Sequence, residues 1–211
     1  GIVGAGLSGI ELASELRESR SDLEILLYDR GPRILRNFPE KLSKYISKWF
    51  SKHDVTVVPN SVIDRVEPGK IYNNGQPEDI DLVVWTAGIQ PVEVVRNLPI
   101  DLSNTGRVIL NQYHQFPTYK NVYVVGDCAD LPHAPSAQLA ELQGDQIADV
   151  LKKQWNNESL PDKMPEIKIQ GFLGSLGDKQ GFAYIMDRTV TGRLASILKS
   201  GVLWLYKYHN G

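Results

Sequence analysis

A glycine-rich turn between a short apolar strand and an amphipathic helix is the feature that most constrains the fold of this chain. The turn reads Gly4-Ala5-Gly6-Leu7-Ser8-Gly9. Between a strand and a helix, the first glycine permits the turn, the second lets the backbone approach a pyrophosphate, and the third permits close packing of the helix on the strand. The N–H groups of the first helical turn are then available to phosphate oxygens. The pattern predicts a dinucleotide site that includes Gly4, Gly6, Leu7 and Gly9.

An acidic residue after the second strand supports this prediction. The apolar stretch Leu23–Asp29 predicts a buried strand, and it ends at Asp29, 20 residues after Gly9. At this spacing a carboxylate can accept hydrogen bonds from the adenosine ribose, which favours NADH, whereas Arg30 and Arg33 could attract the 2'-phosphate of NADPH. The alternative is a glycine-rich turn that merely joins a strand and a helix.

The remaining hydrophobic pattern predicts an α/β fold with a Rossmann-like parallel sheet. Strands alternate with helices along the chain, which is typical of that class. A helix is expected from near Pro39, and Asn73-Asn74-Gly75 is typical of a tight turn. Further strands are expected at Val55–Val58, Val62–Val66, Asp81–Thr86, Val108–Leu110 and Asn121–Val125, and a second long helix at about Ser136–Trp155.

Charge and cysteine content exclude several classes of function. The 23 basic and 25 acidic residues give a net charge of -2, so there is no bulk attraction to nucleic acid or anionic lipid. Cys128 is the one cysteine, which excludes a disulfide or a thiolate metal cluster within the chain and fits a reducing, cytoplasmic setting. We expect no metal site, signal peptide or spanning helix.

A second glycine–acid motif follows in Thr118–Asp127, which fits the pattern threonine, four residues, three apolar residues, glycine, aspartate. This pattern is similar to one found in FAD enzymes with two dinucleotide-binding domains. That resemblance assigns Asp127 to the ribityl hydroxyls and Gly126 to close approach of the flavin phosphates; a carboxylate suits vicinal hydroxyls and a glycine leaves room. The alternative is an ordinary strand-to-turn transition at the surface. We interpret Cys128 as a small buried residue beside this motif.

These elements, in this order, resemble the pyridine-nucleotide flavoprotein superfamily, and local phrases narrow the resemblance to the type II NADH:quinone oxidoreductases. It spans the whole chain and is strongest up to about residue 153. The phrases are Gly6–Glu15, Arg30–Leu35, Phe38–Leu42, Gly126–Ala129, Ala137–Ala140 and Gln143-Gly144.

The resemblance implies an enzyme that uses FAD and NADH and reduces a quinone. NADH would give a hydride to the flavin, and the reduced flavin would pass two electrons to the quinone. It places Ala87 and Gly88, after the strand Asp81–Thr86, beneath the cofactors. It also places Glu11 and Gln138, with Ala137 at the head of its helix, near the flavin and the nicotinamide or quinone. Glu11 has a competing explanation, because an acid in the first helical turn is stabilised by the helix dipole.

The resemblance further implies three parts: an NADH-binding Rossmann-like domain at 1–112, the C-terminal part of an FAD domain at 113–160, and a membrane-interface or packing segment at 161–211. Family members begin with a separate glycine motif in a region of roughly 150 residues. Few residues precede the glycine turn here, so we expect a segment of a longer protein that is inactive alone.

The last segment is expected to form an amphipathic helix. Its roughly 16 residues are too few to span a bilayer, but its aromatic residues Trp204 and Tyr206 suit a membrane interface. A helix docked on the protein gives the same pattern. The resemblance favours a peripheral position on the inner face of the cell membrane, where quinone is found. It is also compatible with a homodimer. The apolar positions are Leu194, Ile197, Leu198, Gly201, Val202, Leu205 and Tyr208, and the basic positions nearby include Lys207.

Two other classes of function compete. Disulfide, ferredoxin and rubredoxin reductases share the superfamily, but disulfide reductases carry a C-terminal dimerisation domain of about 100 residues. Only about 45 residues follow Pro165. A non-enzymatic NADH-sensing module is the second class, and the absence of FAD from the full-length protein would favour it.

Overall fold

The computed structural model describes residues 1–210, apart from the side chains of residues 203, 205–207, 209 and 210. The chain forms two compact units, one of Gly1–Gly88 with Gln170–Gly211 and one of Ile89–Ile169. The division into domains at 112/113 and 160/161 stays a prediction. The elements are, in chain order, β1 Ile2–Val3, α1 Leu7–Ser19, β2 Ile25–Tyr28, α2 Glu40–Lys52, β3 Val55–Val58, β4 Ile63–Glu67, β5 Lys70–Asn73, β6 Gln76–Asp79, β7 Val84–Trp85, α3 Glu93–Arg96, a 3-10 turn Gly126–Cys128, α4 Ala137–Trp155, β8 Gly171–Leu176, β9 Gln180–Ile185, β10 Arg188–Gly192 and α5 Arg193–Asn210.

The first unit is built on a parallel sheet with the strand order β3-β2-β1-β7. This confirms the predicted α/β class. Both α1 and α2 bury an apolar stripe in one core, and the stripe of α2 contains Leu42, Ile46 and Phe50, as the helical spacing predicts. Each of these fully buried side chains stabilises the fold by about 1.5–3 kcal/mol. Strand β7 is shorter than predicted: within the predicted strand Asp81–Thr86, only Val84–Trp85 pairs with β1.

An antiparallel sheet, β4-β5-β6, adds a second apolar cluster to this unit. Val3 and Tyr28 from the parallel sheet share that cluster with Ile71. The Tyr28 hydroxyl donates to Glu78 at 2.6 Å, and burial, followed by this hydrogen bond, raises the pKa of the phenol. The predicted tight turn is confirmed between β5 and β6, where Asn74 and Gly75 both have positive φ, 52° and 76°.

The C-terminal strands β8, β9 and β10 form an antiparallel sheet that joins the first unit through α1. Two carboxylates on α1, two helical turns apart, hold it: Glu11 accepts from the N–H of Ser175 at 2.7 Å, and Glu18 accepts from the N–H of Asp178 at 2.5 Å. Phe182 is fully buried in the same core as α1 and α2. The segment therefore packs with the nucleotide-type fold.

The second unit is largely irregular, and the predicted strand at Asn121–Val125 is wrong. Within the described part of the chain, this stretch makes only an isolated bridge, between Tyr123 and Gln115. A strand needs a continuous ladder of backbone hydrogen bonds, and no adjacent strand supplies one here. Val108–Leu110 is likewise reduced to single bridges at Val108. The predicted helix is confirmed as α4, which begins after its N-cap, Ser136.

Candidate functional site

The glycine turn is built by close packing at its two ends. Gly4 has φ +108°, and a Cβ there would lie 2.9 Å from the Cα and N of Ala87. A Cβ on Gly9 would lie 1.9 Å from the carbonyl oxygen of Gly4 and 2.9 Å from Thr86 Oγ1. Only glycine fits these two positions, because the neighbouring atoms are mostly backbone and cannot move aside.

The middle of the turn is open. Gly6 is exposed, and a Cβ built on it would meet nothing within 4 Å. Gly6 is also the N-cap of α1, and it offers no side chain to the N–H groups of the first turn. In contrast, the N-terminus of α4 is capped by Ser136, whose Oγ accepts from the N–H of Leu139 at 3.2 Å. The start of α1 at Leu7 therefore leaves free donors for an anion such as a pyrophosphate, so its residues fit a dinucleotide.

The Asp29 carboxylate joins the glycine turn to the loop after β2. Its Oδ2 accepts from the N–H of Ala5 at 2.8 Å, and its Oδ1 accepts from the N–H of Gly31 at 2.7 Å. A carboxylate offers about four acceptor directions, so both oxygens retain capacity for ribose hydroxyls. Asp29 thus positions the turn, and its role in recognising a ribose stays a prediction.

The two arginines after Asp29 differ in availability. The Arg33 guanidinium donates to three backbone carbonyls, at 3.0, 2.7 and 2.9 Å. These bonds hold the loop before α2 and commit Arg33 to the protein. Arg30 is exposed. Of the two residues predicted to compete for a 2'-phosphate, Arg30 alone keeps a free guanidinium among the described residues. The carbonyls that Arg33 engages belong to Leu35, Arg36 and Phe38.

The small-residue turn after β7 closes the same site. Thr86 Oγ1 donates to the carbonyl oxygens of Val3 and Gly4, at 3.0 and 2.9 Å, which fixes the end of β7 against the glycine turn. Ala87 is then in contact with Gly4. Gly88 has φ +80°, and a Cβ built on it would meet nothing within 4 Å. The predicted nucleotide-side residues thus come together in the first unit.

Glu11 lies outside this cluster of glycines, and its predicted place in the first helical turn is wrong. Because α1 begins at Leu7, Glu11 is the fifth helical residue and gains little from the dipole. Its Oε1 accepts from the Ser175 N–H and from the Lys199 ammonium, which also donates to Ser175 Oγ at 2.6 Å. The ion pair is partly buried, with side-chain exposures of 27% for Lys199 and 33% for Glu11. These contacts join α1 to α5, and a catalytic role for Glu11 stays a prediction.

The second glycine–acid motif forms the 3-10 turn Gly126–Cys128, which is held by its backbone. Gly126, with φ +76°, donates its N–H to Gln143 Oε1 at 2.9 Å. The Asp127 carbonyl accepts from Arg107 Nε at 3.0 Å, and the Cys128 carbonyl accepts from the Val108 N–H at 2.8 Å. The Asp127 side chain is exposed and has no partner within residues 1–210. A free carboxylate on an anchored turn fits a ligand with hydroxyl groups.

The head of α4 lies next to this turn. Ala137 and Gln138 are its first two residues, and α4 packs against Gly126–Cys128. Ala137 is exposed and Gln138 is half-buried. The predicted flavin-side residues therefore share the second unit, whereas Glu11 belongs to the first unit.

Sequence reasoning missed the structural roles of Gln143 and Arg107. In the sequence, Gln143 stands only within a family phrase, and no pattern marks Arg107. The signal for Gln143 was a polar residue on the buried stripe of an amphipathic helix, between Leu139 and Val150. No sequence pattern marks the role of Arg107, because its partner, the Asp127 carbonyl, lies 20 residues further along an irregular stretch.

Most of the described apolar side chains of α5 are exposed. Ala195 is fully buried, whereas Ile197 is 67% and Trp204 65% exposed. The helix also packs on β8, β9 and β10, so the docked-helix and the membrane-interface interpretations both stay predictions. No helix among residues 1–210 has the length and apolarity that crossing a bilayer requires. The predicted positions Leu205, Tyr206 and Lys207 lie outside the residues whose side chains the structure describes. The other exposed apolar residues of α5 are Leu194, Leu198, Val202 and Tyr208.

Comparison with known protein families decides the assignment. The sequence pattern described as "Pyridine nucleotide-disulphide oxidoreductase" matches residues 1–144, well over half of the chain. The chain belongs to this family. Membership accounts for the order of the two motifs, the glycine turn of the first unit and the glycine–acid turn of the second.

Relatives within the pyridine nucleotide-disulphide oxidoreductase family include NADH dehydrogenases. The chain is 57% identical over 210 residues to the NADH dehydrogenase-like protein YutJ of Bacillus subtilis (strain 168), covering 100% of this chain and 59% of that protein. It is 26% identical over 218 residues to a type II NADH:quinone oxidoreductase of Staphylococcus epidermidis (strain ATCC 35984), covering 93% of this chain and 54% of that protein. The chain thus spans somewhat more than half the length of these relatives.

The fold comparison agrees with this family. The structure of NDH2 from Plasmodium falciparum in complex with NADH superimposes with a TM-score of 0.76 at 14% identity, covering 96% of this chain and 60% of that one. At this identity the likeness shows the fold alone. At 96% of this chain it covers more than the family match, which ends at residue 144.

Proposed function

We propose that this chain is part of an NADH dehydrogenase that passes electrons from NADH through FAD to a quinone. The observation that carries the proposal is the open glycine turn at the uncapped start of α1, beside the Asp29 carboxylate. The 57% identity to an NADH dehydrogenase-like protein and the similarity to type II NADH:quinone oxidoreductases support the reaction class.

In this proposal the chain's own residues bind and orient the cofactors. The free N–H groups after Gly6 bind the NADH pyrophosphate, and Asp29 accepts from the ribose hydroxyls. Asp127 accepts from the ribityl hydroxyls of the flavin. When bound, FAD supplies the two-electron chemistry that links NADH oxidation to quinone reduction. Glu11 and Gln138 are proposed to lie near the ring system; their roles rest on the family resemblance.

Steady-state NADH oxidation by the full-length protein tests this function. With quinones of several ring types as acceptors, we expect NADH consumption matched by quinone reduction, and full-length protein that purifies with FAD. A protein that binds NADH without flavin and without turnover would instead support an NADH-sensing module. Turnover with a disulfide or an iron–sulfur protein, but not with quinones, would support another reductase of the family.

The contacts of Asp29 and Arg33 lead to a prediction about nucleotide choice. Asp29→Asn should narrow the preference for NADH over NADPH by about tenfold or more. A carboxylate repels the nearby 2'-phosphate by about 1 to 4 kcal/mol per unit charge at 4 Å, depending on screening. The amide keeps one acceptor for the N–H groups of the turn, so stability should fall less than in Asp29→Ala. Fluorescence titrations with both nucleotides measure the ratio.

Arg30→Ala is the matched control for this prediction. If Arg30 attracts a 2'-phosphate in the wild-type chain, its removal lowers NADPH affinity alone. If Asp29 sets the preference, Arg30→Ala changes the affinity ratio by less than about twofold. An unchanged ratio in Asp29→Asn would remove Asp29 from the ribose site.

We also propose that α5 lies on a membrane surface, because most of its described apolar side chains stay exposed although the helix packs on β8, β9 and β10. The Lys199–Glu11 pair orients the helix so that these side chains stay outward. A surface-lying helix of this kind binds through its apolar face and places the protein where quinone is dissolved. The alternative is that a second copy of the chain covers the apolar face of α5.

Ile197→Glu should weaken binding to phosphatidylcholine–phosphatidylglycerol vesicles by about tenfold, because it places a charge on the apolar face. Co-sedimentation with vesicles measures this. Met186→Glu is the control, since Met186 is 83% exposed but lies outside α5, between β9 and β10. The membrane proposal is contradicted if the wild-type protein binds no vesicles and forms a dimer that Ile197→Glu disrupts. The apolar face of α5 would then contact a second copy of the chain.

A further inference from the structure

The strongest unexplained feature of the second unit is a buried glutamine. Gln143 is fully buried, and its Oε1 accepts from the N–H of Gly126 at 2.9 Å. Its Nε2 is buried and has no hydrogen-bond partner among the described residues. A methionine of similar size would avoid leaving this donor unpaired, so packing stability alone does not explain a glutamine here. What the glutamine provides is the acceptor for Gly126.

That acceptor lies at a critical point of the glycine–acid turn. Gly126 has φ +76°, which turns its N–H out of the extended conformation of Val125, and the N–H is directed to α4. Ala140 lies on the same face of α4, one turn before Gln143, and its Cβ is 3.6 Å from the position of a Cβ on Gly126. Gln143 and Ala140 thus hold the first residue of the turn against the helix.

The next two residues of the turn are anchored by other elements. Arg107 Nε donates to the Asp127 carbonyl at 3.0 Å, and its NH2 group donates to the Ile89 carbonyl at 3.1 Å. The Val108 N–H donates to the Cys128 carbonyl at 2.8 Å. Each anchor uses a backbone atom of the turn. The Asp127 carboxylate is left exposed and without a partner among residues 1–210, on a backbone that these bonds hold in place.

We infer that Gln143 is a positioning residue for the flavin: it fixes the Gly126–Cys128 turn so that the Asp127 carboxylate faces the hydroxyl groups of the ribityl chain. The inference rests on the proposed function. It assigns no contact between Gln143 and the flavin itself. The loss of the amide oxygen leaves the partly buried Gly126 N–H without its acceptor, which allows the turn to shift and lowers flavin affinity.

Three variants of the full-length protein test this inference. Gln143→Met removes the acceptor, and Gln143→Glu keeps an acceptor oxygen at the same place. Gln146→Met is the matched control, because Gln146 lies one helical turn later on α4 and its described hydrogen bonds go to His114 and to the Pro165 carbonyl, not to the turn. The measurements are the flavin dissociation constant, hydrogen exchange of the Gly126 amide, and thermal unfolding.

We expect Gln143→Met to weaken flavin binding by about tenfold to a hundredfold and to speed Gly126 exchange, and Gln143→Glu to restore both to within about threefold. Gln146→Met should lower the unfolding temperature at least as much while leaving both readouts near wild type. Equal flavin loss in the two methionine variants, or unchanged Gly126 exchange in Gln143→Met, overturns the inference. Wild-type protein that binds no flavin overturns the proposed function as well, while normal flavin binding in Gln143→Met overturns this inference alone.

Discussion

Gly9→Ala is expected to destabilise the first unit by about 3 kcal/mol or more, whereas Gly6→Ala is expected to leave it folded and to remove most of its NADH affinity. The two glycines belong to the same turn, but their surroundings differ. A Cβ on Gly9 would lie 1.9 Å from the Gly4 carbonyl oxygen, and a Cβ on Gly6 would meet nothing within 4 Å. The backbone of Gly6, with φ -77°, is also one that alanine adopts freely.

The NADH affinity of Gly6→Ala is expected to fall because the added methyl group would collide with the bound nucleotide. It would collide with no described protein atom. A methyl group at this point keeps the pyrophosphate away from the N–H groups of α1, and charge-assisted hydrogen bonds of this kind contribute about 1.5–3 kcal/mol each. NADH should therefore bind about tenfold to a hundredfold more weakly. The cost to stability should be about 1 kcal/mol at most, the usual effect of alanine at an N-cap.

Urea unfolding and NADH titration of the same preparations separate these effects. Gly201→Ala is the control, because Gly201 is equally open but lies in α5. It should bind NADH like the wild type. If Gly6→Ala also binds NADH like the wild type, the turn merely joins β1 to α1 and the nucleotide site is elsewhere.

Asp127→Ala is expected to weaken flavin binding to the full-length protein by more than tenfold without lowering its stability. The carboxylate is exposed and has no partner within residues 1–210, so its removal breaks no described contact. Hydrogen bonds to a charged group contribute about 1.5–3 kcal/mol each, and two ribityl hydroxyls would use one carboxylate. Flavin content and the free energy of unfolding are the quantities to compare.

Asp130→Ala provides the matched control for Asp127. Asp130 is an exposed acid three residues later, and its backbone N–H bonds to the Val108 carbonyl at 2.9 Å, which the substitution leaves in place. It should retain flavin. Equal flavin content in the two variants would mean that Asp127 is an ordinary surface residue of a turn.

The elements that sequence reasoning predicted well are those set by local pattern. The glycine turn, the helices expected from near Pro39 and near Ser136, and the Asn74-Gly75 turn each depend on residues within one element. The failed strand at Asn121–Val125 has the same apolar pattern as a true strand. What distinguishes the two is a neighbouring strand, which is a non-local property that a short window of sequence does not contain.

The candidate site shows the same limit. Asp29 and Asp127 were found because a fixed spacing or phrase marks them. The partners of Glu11 were not, since Ser175 and Lys199 lie 164 and 188 residues away along the chain. Gln143 was visible only as a polar residue on a buried stripe, and its partner became clear from the fold. Tertiary contacts of this kind decide whether a marked residue is free to meet a ligand.

An anaerobic titration of the full-length protein with NADH, followed by visible absorbance, tests the central claim most directly. The proposed function predicts that the protein contains FAD, that one equivalent of NADH bleaches the oxidised flavin spectrum, and that added quinone restores it. Gly6→Ala should need much more NADH for the same bleaching. A folded full-length protein that contains no flavin, or whose flavin NADH does not reduce, would contradict the account.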